Sequence, residues 1–88
     1  MSSFSKFIEL THSIQNKELL SDFLIGVTTE KERNELAQRV EIIKRLIAGE
    51  PQAKIASDLG VGIATVTRGS KELSQGRFKV LKEQQWKH

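Results

Sequence analysis

This chain has no cysteine, and it has only one proline, one tryptophan and two histidines. Without cysteine there is no disulfide framework and no thiolate metal site, and a cytoplasmic setting fits. Of the two histidines, His12 falls on an amphipathic stretch and His88 at the terminus. Nucleophile–base pairs, paired carboxylates, a Gly-rich phosphate loop and metal-ligand spacing are all missing. Neither enzymatic activity nor a metal is therefore expected. There is no apolar run of about 18 residues, so no transmembrane helix and no membrane partner are expected. The opening MSSFSKFIEL lacks the basic region and long apolar run of a secretory signal. With so little proline, no strand-like stretch and no internal repeat, the reading is all-α.

What is present is a short chain with an uneven charge. At 88 residues it is read as one small domain, which buries only about 60% of its unfolded surface. Such a domain is marginal unless a second subunit covers part of it. Residues 1–50 carry seven basic and eight acidic side chains. Residues 51–88 carry Lys54, Arg68, Lys71, Arg77, Lys79, Lys82 and Lys87 against only Asp58, Glu72 and Glu83. A basic end suits phosphate binding, although a solvated basic tail has the same composition.

Periodicity divides the chain into helices. Residues 3–16 place Phe4, Phe7, Ile8 and Ile14 on one broad face. Asn16 and Lys17 mark a break, and a second helix over residues 18–25, rich in Leu19, Leu20, Phe23 and Leu24, closes at Gly26. Thr29 and Glu32 form a capping box that starts a third helix over residues 30–48. Leu36, Val40, Ile43 and Ile47 stripe that helix, and Ala37, Ile42 and Leu46 widen the stripe, so it is expected to lie centrally. Gly49 ends it, and Pro51 suits the first turn of the next helix. A last helix is expected over residues 78–86, presenting Phe78, Leu81 and Trp86.

Residues 52–70, QAKIASDLGVGIATVTRGS, organise the rest. Ile55, Ala56 and Leu59 make a buried stripe. Gly60 follows where a helix ends in a left-handed residue. Val61 plugs the angle, Gly62 opens a second helix, and Val66 packs back on the first. A small residue at the crossing, a glycine at the bend and an aliphatic on the second helix are the pattern of a helix-turn-helix. A plain helical hairpin explains the apolar positions but not the face of Thr65, Thr67 and Arg68. Gly69 stands out, because a mid-helix glycine costs about 1 kcal/mol against alanine. Close approach of something to the backbone would account for it.

The string Ile63-Ala64-Thr65-Val66-Thr67-Arg68-Gly69-Ser70 resembles the recognition helix of the Trp repressor family. The resemblance covers residues 28–73 most closely. It implies an intertwined homodimer, with residues 1–49 and 76–88 as dimerisation helices and residues 50–75 as the helix-turn-helix. It also implies sequence-specific repression on a palindromic double-stranded DNA operator, with L-tryptophan as corepressor. Two alternatives stay open. One is a regulator of the same kind answering another ligand or none. The other is a helical dimer that binds RNA or a protein.

By the resemblance, Arg39 stacks on one indole face, and Arg68 stacks on the other and takes the carboxylate. Guanidinium planes suit both tasks. A surface pair with Glu35 is the ordinary alternative for Arg39, and a phosphate contact for Arg68. Thr29 matches a threonine near the ligand amino group, in addition to capping a helix. Carbonyls around Gly26 and Thr28 match amino-group acceptors, and Gly69 matches a glycine leaving room beside the ring. Glu72 stands where the family often has a serine that reaches the ligand ammonium from the partner chain. Its carboxylate can bind that ammonium more strongly, or it can pair with Arg68 at i, i+4. On the DNA side, Ile63, Ala64, Thr65 and Thr67 fall in the half of the helix that meets base edges. Gln52, Lys54, Arg68 and Lys71 suit phosphates. The connector at Pro51 is shorter than usual, with Ala53 near where an arginine is expected.

Overall fold

The computed structural model describes residues 2–83, and these are helical with no strand. Trp86 and His88, assigned above to the last helix and the terminus, lie outside the described residues. The chain divides into two compact units, Met1–Arg33 and Asn34–His88.

The first unit holds α1 (Ser3–Ser13), α2 (Lys17–Val27) and the first turn of α3 (Glu30–Ile47). Side chains set its helix starts. Ser2 Oγ accepts from the Ser5 N–H at 3.1 Å. Asn16 Oδ1 accepts from the Leu19 N–H at 2.8 Å. Asn16 therefore begins α2 rather than ending α1, which stops at Ser13. An N-cap asparagine outside the helix satisfies a donor that the helix itself cannot. Gly26 does not close α2, which continues to Val27.

The capping box at α3 forms in both directions. The Thr29 N–H donates to Glu32 Oε1 at 2.8 Å, and the Glu32 N–H donates to Thr29 Oγ1 at 3.1 Å. That backbone donor holds the Glu32 carboxyl below its ordinary pKa. Phe7 and Phe23 meet as a tilted pair with ring centres 6.0 Å apart. Little else in this unit is covered: Phe4 is 71% exposed and Leu19 59%.

The second unit contains the rest of α3, then α4 (Gln52–Leu59), α5 (Ile63–Ser74) and α6 (Lys79–Glu83). Its core is Ile42 from α3, Ile55 and Ala56 from α4, and Val66 from α5, with Leu46, Leu59 and Val61 packed around them. Each buried aliphatic contributes on the order of 1.5–3 kcal/mol relative to exposure. Gly60 takes the left-handed conformation, φ +66°, and the Val61 N–H closes back on the Ala56 carbonyl at 3.0 Å. That six-residue closure turns the chain sharply between α4 and α5. The expected centrality of α3 holds for its C-terminal half only. Ile42 and Ile43 are buried, but Leu36 is 50% exposed and Val40 45%.

At Gly69, α5 lies against aliphatic side chains of α3. A Cβ built there would lie 3.1 Å from Ile43 Cδ1, 3.6 Å from Ile42 Cγ2 and 3.7 Å from Leu46 Cδ1. The approaching group that a mid-helix glycine suggested is thus the aliphatic surface of α3. Gly69→Ala gains helix propensity but crowds a buried isoleucine, and overpacking outweighs the gain. The variant is expected to lose about 1 kcal/mol in urea unfolding at fixed protein concentration. A stabilised variant would contradict this packing.

Candidate ligand slot and nucleic-acid face

The contact between α3 and α5 leaves a slot of about 210 Å³ beside it, lined by Arg39, Ile42, Ile43, Thr65, Arg68, Gly69, Glu72 and Phe78. Drug-sized pockets usually run from roughly 300 Å³ upward, so this slot suits one small molecule. Its floor is apolar, from Ile42 and Ile43. Its charged groups come from two helices: Arg39 from α3, and Arg68 with Glu72 from α5, one turn apart.

Arg39 and Arg68 are both exposed, and among the described residues neither is held by an ion pair or side-chain hydrogen bond. Among the described residues, Arg68 and Glu72 form no ion pair with each other. Glu72 instead meets Arg77 at the rim, with Oε2 3.7 Å from Nε. The backbone shapes that rim. The Arg77 and Gln75 N–H groups donate to the Glu72 carbonyl, each at 3.2 Å.

Four of the proposed ligand residues, Arg39, Arg68, Gly69 and Glu72, therefore line one slot. Thr65, read above as a base contact, also lines it. Gly26, Thr28 and Thr29 belong to the first unit. There the Arg33 guanidinium donates to the Thr28 carbonyl at 2.8 Å and to the Ile25 carbonyl at 3.1 Å. Thr29 has its hydroxyl oxygen in the capping box, which leaves the O–H free to donate elsewhere.

Phe78 is the lining residue that the sequence did not reveal. It has φ +66°, unusual for a bulky side chain. It is fixed there because its carbonyl accepts from the Leu81 and Lys82 N–H groups at the start of α6, at 3.0 and 3.1 Å. No periodicity marks a residue in that conformation.

Along the N-terminal half of α5, Ile63, Ala64, Thr65 and Thr67 are exposed. Ile63 is not core; it is 51% exposed. The α5 N-terminus follows Gly62 with no side-chain cap, and α4 begins after Pro51 likewise. Uncapped N–H groups of this kind are open to anions. Thr67 Oγ1 donates to Gln52 Oε1 at 2.8 Å, tying α5 to α4. Lys71 is exposed. Lys54 is engaged: its Nζ lies 3.0 Å from Asp58 and 3.6 Å from Glu50.

A second charge cluster was not legible in the sequence. Arg45 bridges Glu50 and Asp58, with Nε 2.9 Å from Glu50 Oε1, and fastens the end of α3 to α4. The Arg45 hydrogen bonds are the main cause that holds both carboxyls below the ordinary range; Lys54 adds to it. Because the folded-state values are depressed, the stability they contribute is present above the unfolded value of about 4 and is lost as pH falls through the folded one. Asp58→Asn is expected to lower the thermal midpoint at pH 7 and to flatten its decline between pH 5 and pH 2. Melting followed by circular dichroism reads both effects. An unchanged acid limb would contradict the clamp.

The described residues contain no cluster of three His, Asp or Glu side chains placed to hold a metal ion. No helix among them is long and apolar enough to cross a membrane.

Comparison with known proteins agrees with the recognition-helix string. The family model described as Trp repressor protein matches residues 2–85. A Trp operon repressor homolog of Vibrio vulnificus (strain YJ016) is 47% identical over 64 residues, which span 70% of this chain and 61% of that protein. One from Vibrio parahaemolyticus serotype O3:K6 is 38% identical over 88 residues, spanning 92% of this chain and 85% of its own length. One from Chlamydia trachomatis serovar L2 (strain ATCC VR-902B / DSM 19102 / 434/Bu) is 37% identical over 81 residues, with 89% and 86% covered.

Proposed function

This chain belongs to the Trp repressor family, and on that premise we propose that it is a repressor-type regulator of transcription, a homodimeric, sequence-specific DNA-binding protein armed by L-tryptophan. The observation that carries the ligand is the pair Arg39 and Arg68, one from each of two helices, lining a single slot over an isoleucine floor. A flat indole between two guanidinium groups gains stacking and cation–π attraction on both faces. Arg68 also presents donors to the carboxylate. The ligand fills space between α3 and α5, so it favours the α5 orientations that leave the slot open. In this reading tryptophan is a wedge that sets the aim of α5.

Exposed Ile63, Ala64, Thr65 and Thr67 then face base edges in the major groove, where Ile63 and Ala64 suit a thymine methyl. Phosphates fall to Gln52, Lys71 and the uncapped start of α5. A phosphate contact by Lys54 requires exchange of its carboxylate partners, which makes it the weakest of the set. Two copies place two such helices about one helical turn apart, facing a palindromic site. A second copy also supplies cover for apolar side chains that one chain leaves open, among them Phe4, Leu10, Leu19, Leu36 and Val40.

The test is binding to a palindromic duplex at two salt concentrations, with and without L-tryptophan, alongside calorimetry. L-tryptophan is expected to tighten binding to the palindrome and not to random duplex. Arg68→Ala is expected to weaken L-tryptophan by roughly 10- to 100-fold, the value of a charge-assisted hydrogen bond. Ligand-independent, sequence-indifferent binding, or an unchanged titration of Arg68→Ala, would overturn the proposal.

A further inference from the structure

The charges around the slot define more than an aromatic ligand. Two guanidinium groups and one carboxylate line it. A molecule with a carboxylate alone satisfies the arginines and leaves Glu72 facing a second anion. A molecule with an ammonium alone satisfies Glu72 and sits beside two cations. A zwitterion matches every charged group. Arg68 and Glu72 are four residues apart on α5, so their side chains leave the same face of the helix one turn apart. That spacing fits the adjacent carboxylate and ammonium of an α-amino acid. Among the described residues, the ion-pair partner of Glu72 is the exposed Arg77 at 3.7 Å, and an exposed pair of that length is readily exchanged.

We infer that Glu72 is a specificity-determining residue which makes the ligand's ammonium group a requirement, so that the slot reads a free aromatic amino acid and rejects its deaminated and decarboxylated analogues. This rests on the tryptophan reading of the same slot and adds the group that discriminates within it. A neutral side chain at this place would tolerate a ligand without an ammonium, and a carboxylate does not. A ligand carboxylate held by Arg68 without an ammonium beside it faces the Glu72 carboxylate, and that like-charge repulsion counts against the deaminated analogue.

The experiment is calorimetry on the full chain with L-tryptophan, indole-3-propionate and tryptamine, for wild type, Glu72→Gln and Glu72→Asp. Circular dichroism checks that each variant is folded. The wild type is expected to prefer L-tryptophan over indole-3-propionate by at least about tenfold. Glu72→Gln is expected to bring that preference within about threefold, mainly by admitting indole-3-propionate, and Glu72→Asp to retain part of it. If L-tryptophan binds and the preference is the same in wild type and Glu72→Gln, the role of Glu72 is overturned and the tryptophan reading stands. If the wild type binds L-tryptophan no better than the two analogues, the inference is overturned by that result alone. If none of the three binds the wild type, both readings fall together.

Discussion

The close contact of α5 with α3 at Gly69 is the constraint on which the second unit depends. Ile43 Cδ1 sits where a Cβ would begin to crowd it, so a side chain at position 69 would meet the aliphatic surface of α3. That approach brings Val66 onto Ile42 and Ile55 and closes the core. The same approach leaves Arg39 and Arg68 bordering one slot instead of two separate surfaces. Packing and binding geometry therefore share an origin. A glycine that weakens α5 by its propensity is retained where its missing side chain lets the helix dock.

The charged residues fall into two groups that behave differently. Arg45, Glu50, Lys54 and Asp58 are tied to one another and fasten α3 to α4. Among the described residues, Arg39 and Arg68 border the slot without such ties, and Glu72 has only a long, exposed pair with Arg77. Residues that stabilise spend their charge internally, while residues open to a ligand keep it available. By this criterion Lys54, which composition alone assigns to the basic DNA face, belongs with the structural group. The free N-termini of α4 and α5 contrast in the same way with the side-chain caps at Ser2, Asn16 and Thr29.

Much of this was readable in the residues. Ala56, Gly60 and Val66 each have a single physical reason to occupy their positions, and the turn closes as that pattern requires. The Thr29–Glu32 box is equally local, since both partners lie within one helical turn. Arg39 and Gly69 drew attention only through resemblance and propensity, and their partner surfaces needed three dimensions. The Arg45–Asp58 bridge spans 13 positions and follows no helical period. Phe78 was read as part of the last helix, because nothing in its neighbours signals a left-handed backbone there. Asn16 does mark the break, but α1 already stops at Ser13 and Asn16 caps α2, because the same residue type ends one helix and caps the next. Leu36 and Val40 carry a helical stripe that a single chain does not cover.

One measurement bears most directly on two guanidinium groups enclosing one flat amino acid. The chain is labelled with nitrogen-15 arginine, and the Nε–H resonances are followed as L-tryptophan is added. Arg39 and Arg68 are expected to move together, along one saturation curve, in the direction that an adjacent aromatic face imposes, while Arg45, held by Glu50 and Asp58, changes little. Saturable binding that leaves either Arg39 or Arg68 unmoved would contradict the account.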